Sequence, residues 1–83
     1  MLTIIRSPKA LGASLRRHRR SLGLTQAQVS AKAGIRQGTV SQIENGLETV
    51  KLRTVMDLLR ALDLELALQQ RSKGSHRDIE DLF

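Results

Sequence analysis

The chain has 83 residues, 14 Lys and Arg against 8 Asp and Glu, a net charge of +6, and 40% hydrophobic with 27% charged residues, the balance of a folded globular chain. Cysteine is absent, which excludes disulfides and thiolate metal sites, and His18 and His76 are too few and too far apart for a zinc cage. The longest apolar runs, such as Leu2-Thr3-Ile4-Ile5, cannot span a bilayer and the start does not resemble a signal peptide, so a cytoplasmic protein with no membrane partner is expected.

Ser7-Pro8 predicts the start of a first helix, because Ser can cap orphan amides and Pro at the first helical position has none to lose. Leu11, Leu15 and Leu22 then recur at helical spacing with Arg19 on the same stripe, until Gly23 ends the helix. Thr25 and Gln28 form a capping-box pair opening a short second helix, in which Val29 and Ala33 face inward and which Gly34 stops. Ile35 is a buried plug. A third helix runs from about Gln37 to Glu44 with Val40 and Ile43 as its apolar face, and Asn45-Gly46 signals a turn. Leu52, Val55, Met56, Leu59 and Leu62 then outline a fourth amphipathic helix.

The period changes from helical to alternating at Leu64, Leu66 and Leu68, which predicts a strand rather than a fraying helix end, since Asp63 and Glu65 would oppose the dipole at a helix C-terminus. One such strand has no obvious partner in its own chain except Leu2–Arg6, so pairing with a second copy is expected. A homodimer also suits a domain this small, whose only aromatic residue is Phe83. Residues 1–71 are thus expected to form the folded domain and 72–83 a flexible tail.

Charge is unevenly placed. Residues 1–56 hold ten basic against two acidic groups, a balance of +8, whereas residues 57–83 stand at −2. A basic body points to a polyanionic partner. Gln26–Gly46 supplies the rest of the pattern: two short helices meet at Gly34-Ile35-Arg36, with small Ser30 and Ala33 where they approach. The second of them carries Gln37, Thr39, Ser41 and Gln42, side chains able to read base edges, and Gly38 lets its backbone come close. This is the arrangement of a helix-turn-helix whose second helix enters the major groove.

Leu24-Thr25-Gln26-Ala27-Gln28-Val29-Ser30-Ala31-Lys32-Ala33-Gly34-Ile35, followed by Val40-Ser41-Gln42-Ile43-Glu44-Asn45-Gly46, resembles the phage-repressor (Xre/Cro) helix-turn-helix family, and the resemblance covers about residues 8–63. Within that family, Ile5-Arg6-Ser7-Pro8, Gly34-Ile35-Arg36-Gln37 and Leu62-Asp63-Leu64-Glu65-Leu66-Ala67-Leu68 are similar to HipB antitoxins. Ser30 departs from the alanine the wider family prefers, and its hydroxyl needs a backbone partner.

The resemblance implies a mainly α fold of four to five helices with one C-terminal β-strand, Leu64, Leu66 and Leu68, pairing across a dimer. It implies that Arg36, Gln37, Gly38, Thr39, Ser41 and Gln42 meet base edges, and that Gln26, Asn45, Lys51 and Arg53 hold the DNA backbone, Gln26 also bracing Gln37. Arg19 would pair with Glu44. The implied function is a dimeric autorepressor and type II antitoxin whose partners are double-stranded operator DNA and a HipA- or HipT-like kinase toxin.

Two alternatives compete: a phage or restriction-system regulator without a toxin partner, and a protein-interaction module on the same scaffold. The arginines Arg16, Arg17 and Arg20 read as a solvated face that could serve phosphates or an acidic protein surface, and both histidines as ordinary surface residues. Leu82-Phe83 is either a ragged end or a toxin or degradation contact. No nucleophile elbow, phosphate loop or zinc-protease motif is present, so neither enzyme activity nor a cofactor or metal is expected.

Overall fold

The computed structural model describes residues 3–72. The expected tail contact of Leu82 and Phe83 lies outside the described residues.

Four helices follow in chain order: α1, Pro8–Ser21; α2, Gln26–Ala33; α3, Gln37–Glu44; and α4, Leu52–Ala61. Local chemistry fixes most of their ends. The Ser7 hydroxyl accepts from the Ala10 amide at 3.0 Å, with Pro8 filling the first helical position. At the head of α2 the capping box closes in both directions, Gln28 N to Thr25 Oγ1 at 3.0 Å and Thr25 N to Gln28 Oε1 at 2.8 Å. Gly34 then ends α2 in the left-handed region at φ +72°, which costs a glycine nothing.

The interior is wholly aliphatic. Leu15 from α1, Val29 and Ala33 from α2, Val40 and Ile43 from α3, and Val55, Leu58, Leu59, Ala61 and Leu62 from the α4 region form one buried cluster. Leu11, Leu24, Ile35, Val50 and Leu64 close its rim. α2 packs on both α3 and α4, and α1 on α3. Gly12 lets α1 and α3 meet at backbone distance: a Cβ there would lie 2.8 Å from the Glu44 carbonyl oxygen and closer still to that of Ile43.

Some side chains depart from the expected faces. Leu22 is the C-cap of α1 and is 49% exposed rather than part of the stripe. In α4 the buried row is Val55, Leu58, Leu59 and Leu62, whereas Leu52 and Met56 stand 69% and 47% exposed. α2 selects that row, because it covers only one side of α4. His18 is no ordinary surface residue: it is half-buried and its Nε2 lies 3.2 Å from the carbonyl oxygen of Leu62. A carbonyl only accepts, so the ring donates, and α1 is tied to the end of α4.

After α4 the chain turns at Asp63, the one non-glycine residue with a left-handed backbone among the described residues, at φ 59°. Leu64 N reaches back to Leu59 O at 2.8 Å, completing a helix-ending motif in which Asp63 holds the position glycine usually takes. Residues 64–72 are non-helical, and no strand pairing occurs among the described residues. A ladder that spans two protomers has only one of its strands in a single chain. Leu64 rests on the core, while Leu66 is 54% exposed and Leu68 fully so. No helix among the described residues is long and apolar enough to cross a membrane.

Candidate nucleic-acid interface

The α2–turn–α3 unit is built from local backbone needs. Gly34 N and Ile35 N both return to Ser30 O, at 2.9 and 3.1 Å, which folds the turn tightly against the end of α2. The buried Ser30 hydroxyl donates to Ala27 O at 2.8 Å, so the serine at this packed position is satisfied. Val40 is fully buried and Ile43 nearly so, and together they seat α3 on α2 and α1.

With that face committed to the core, the opposite side of α3 is turned to solvent. Arg36, Gln37, Gly38 and Gln42 are exposed there, and Thr39 and Ser41 are half-buried at its flanks. Arg36 makes no side-chain cap on α3, so its guanidinium is not used to close the helix start. Open space surrounds Gly38, and a partner can approach the backbone there. Gln37, Gly38, Ser41 and Gln42 therefore share one polar edge whose groups are short, neutral and rich in donors and acceptors.

A buried charge network fixes the depth of α3. Arg19 on α1 grips the Glu44 carboxylate through two nitrogens, Nε to Oε2 at 2.6 Å and Nη2 to Oε1 at 3.0 Å. Its remaining nitrogen Nη1 donates to Leu24 O at 2.8 Å. Burial pushes the Glu44 carboxyl up, but hydrogen bonds from Arg19 and Gln26 and the charges of Arg19 and Arg16 outweigh it and hold its pKa below the usual carboxylate value. The hydrogen bond to Glu44, and then its charge, raise the Arg19 guanidinium against burial. No buried side-chain polar atom among the described residues lacks a partner.

Gln26 joins the same carboxylate. Its Nε2 donates to Glu44 Oε1 at 3.1 Å, a link beside the brace to Gln37 that the family resemblance implies. An amide nitrogen carries two hydrogens, so one remains for an anion in front of α2. Sequence spacing gives no signal for this link, because the two residues lie 18 positions apart.

The other sequence-derived backbone contacts have separate settings. Asn45 is exposed and donates from Nδ2 to Ser41 O at 2.9 Å, closing the end of α3. Lys51 precedes α4 as its N-cap residue and is exposed. Arg53 is exposed with a loose 3.6 Å link to Asp57, a separation at which a surface pair restrains little. Leu64, Leu66 and Leu68 follow the end of α4 in the chain.

The sequence model of the helix-turn-helix family matches residues 15–69. The antitoxin HipB of Escherichia coli is 32% identical to this chain over 76 residues, covering 92% of this chain and 86% of that protein. Among solved structures, HipB in a "HipB-O4 20mer complex" superposes with a TM-score of 0.81 at 31% identity, covering 86% of this chain and all of that one. The "HipA-HipB-O2-O3 complex" gives the same TM-score of 0.81 at 31% identity and the same coverage.

Proposed function

This chain belongs to the Xre-type helix-turn-helix family and is a homologue of the HipB antitoxins, and from that membership we propose that it is a sequence-specific, dimeric DNA-binding autorepressor that also neutralises a HipA- or HipT-like kinase toxin. The observation that carries the DNA half of this reading is the exposed edge Arg36-Gln37-Gly38 with Gln42, held at fixed depth by the Arg19–Glu44–Gln26 network. Gln37 and Gln42 can bond adenine edges bidentately, Arg36 can fork onto guanine, and the Thr39 methyl can meet a thymine methyl. Ser41 lines the groove wall. Gln26, Asn45, Lys51 and Arg53 hold phosphates and fix register without reading sequence.

Dimerisation completes the function. The exposed Leu66 and Leu68, with Leu64 at their root, pair with the same segment of a second copy, which covers an apolar edge that one protomer leaves open. Two recognition helices so related would read half-sites about 34 Å apart. The toxin half of the reading is supported by homology to HipB, a protein found in complex with HipA.

A footprinting titration of the region upstream of the gene tests the DNA reading. Gln37→Ala is expected to cost about 1–3 kcal/mol per half-site and to relax preference at one base pair in each. Full operator preference in that variant would refute this register. Co-expression with the product of a neighbouring kinase-like gene, followed by co-purification and growth rescue, tests the antitoxin role.

A further inference from the structure

Beside α3 runs a groove of about 510 Å³ whose near wall is α1, with Lys9, Arg16, Arg17 and Arg20 along it, and whose far wall ends at Asn45. The four basic positions fall on one row of α1, three to seven residues apart or adjacent, with small Ala13 leaving the space between them. At 1.5 Å per residue that row is about 16 Å long. α1 carries no acidic residue at all.

Some of the chain's other cations already have a carboxylate partner: Arg19 is committed to Glu44, Arg60 leans on Asp57, and Arg53 keeps a loose link to Asp57. Lys9, Arg16, Arg17 and Arg20, by contrast, lie within salt-bridge distance of no carboxylate among the described residues. Glu44 also borders the groove, but its carboxylate is already taken by Arg19 and Gln26. Arg17 makes only a 3.3 Å bond to the Ser14 hydroxyl. Folding therefore leaves four like charges side by side, an arrangement whose self-repulsion a polyanion relieves.

The groove also faces the right way for one particular polyanion. Asn45, its far wall, lies on the helical row of α3 that carries Gly38 and Gln42, so the groove opens beside the polar edge assigned to base reading. A row of charges about 16 Å long matches a strand that presents one phosphate per ~3.4 Å of axis. We propose that the α1 groove is a second, sequence-independent site that takes the sugar-phosphate backbone flanking the half-site, with Lys9, Arg16, Arg17 and Arg20 as its phosphate ligands. This rests on the DNA reading above. It extends the footprint beyond the contacts of α2, α3 and the α4 start.

The test is a salt titration of the full chain on two duplexes of equal length, one carrying the upstream operator and one scrambled. Arg17→Ala with Arg20→Ala removes two exposed charges that touch neither the core nor Glu44, and thermal melting checks that the fold is kept. The slope of log K against log[salt] is expected to become shallower by about 3.6 on both duplexes, since the proposed dimer loses four charges and each phosphate no longer neutralised removes about 0.9. The ratio of operator to scrambled affinity should stay unchanged. Lysine at both positions should restore most of the slope. An unchanged slope overturns the proposal, and so does a double variant that keeps its slope but loses an acidic protein partner, which would make the groove a protein-docking surface. A shallower slope in the double variant, beside a wild type with no operator preference, would sustain the groove and sink the sequence-specific reading. Failure of the wild type to bind either duplex overturns both.

Discussion

Substituting the same residue type at two glycines of this small fold should move stability in opposite directions. At Gly12 an added methyl would sit 2.9 Å from the Glu44 carbonyl carbon and 2.8 Å from its oxygen. Carbon contacts prefer ~3.5–4.0 Å, so α1 must back away from α3 by at least about 0.6–1 Å, the still closer Ile43 carbonyl oxygen setting the larger demand. The obstacle is helix backbone, which cannot rotate aside as a side chain can. A gap of that size forfeits a quarter to a half of each neighbouring contact, and Leu15 and the Arg19–Glu44 pair lie along the same seam. Overpacking costs about 1–3 kcal/mol, and the helix preference for Ala over Gly returns about 1 kcal/mol.

With a backbone obstacle we place Gly12→Ala near a net loss of about 2 kcal/mol, or a Tm lower by about 10 °C in a domain of this size. Gly38 has nothing within 4 Å of its would-be Cβ, so Gly38→Ala keeps the whole helical gain and should raise Tm by about 5 °C. The same methyl stands on the proposed base-reading edge and should weaken operator binding. Thermal unfolding at one fixed protein concentration, because a dimer makes Tm concentration-dependent, measures both. A Gly12→Ala variant as stable as Gly38→Ala would refute the close approach of α1 and α3.

The Arg19–Glu44 pair makes two further predictions. Glu44→Ala strands a buried guanidinium and a Gln26 donor, and should cost about 3 kcal/mol in urea denaturation. Because the folded Glu44 pKa lies below its unfolded value, its contribution is present in full above about pH 4.3 and is lost as pH falls through the folded pKa. Acid titration of the wild type should show that limb and the Ala variant should lack it; an identical acid profile would count against the pair as a stabilising element. His18→Ala removes the partner of Leu62 O and should cost about 1 kcal/mol, visible as a lower urea midpoint with unchanged m-value. No shift in midpoint would mean that this bond contributes nothing net.

What the sequence disclosed and what it hid divide along a physical line. The bounds of α2 and α3 were legible because their punctuation is local: Thr25 and Gln28 bond each other, and Gly34 can take a left-handed turn without steric cost. The exposed α3 edge followed, since burying Val40 and Ile43 leaves Gln37 and Gln42 outside. In α4, however, Leu52, Val55, Met56, Leu58, Leu59 and Leu62 support two overlapping stripes at a period of 3.6, and only the position of α2 chooses between them. Leu22 failed for a related reason, as a capping residue lies beyond the turn its spacing implies. The reach of His18 to Leu62 and of Gln26 to Glu44 spans 44 and 18 residues and depends wholly on packing. Gly12 gave no sign either, because a glycine inside a helix looks like a weak point until the neighbouring backbone is in place.

The left-handed Asp63 sets a heading. An L-residue in that region occupies a narrow well and few residue types tolerate it, Asn and Asp foremost after Gly. The direction in which the leucine segment leaves the body is thus set at the joint, by the backbone angle of Asp63 together with the seating of Leu64 on the core, and not by Leu66 or Leu68. Relatives that carry a β-branched residue at the equivalent place must steer that segment elsewhere, however well their leucines align, and would present a differently oriented edge to a second copy. In the proposed dimer, compatibility between two such chains would then be decided at the joint before any side chain on the segment meets its counterpart.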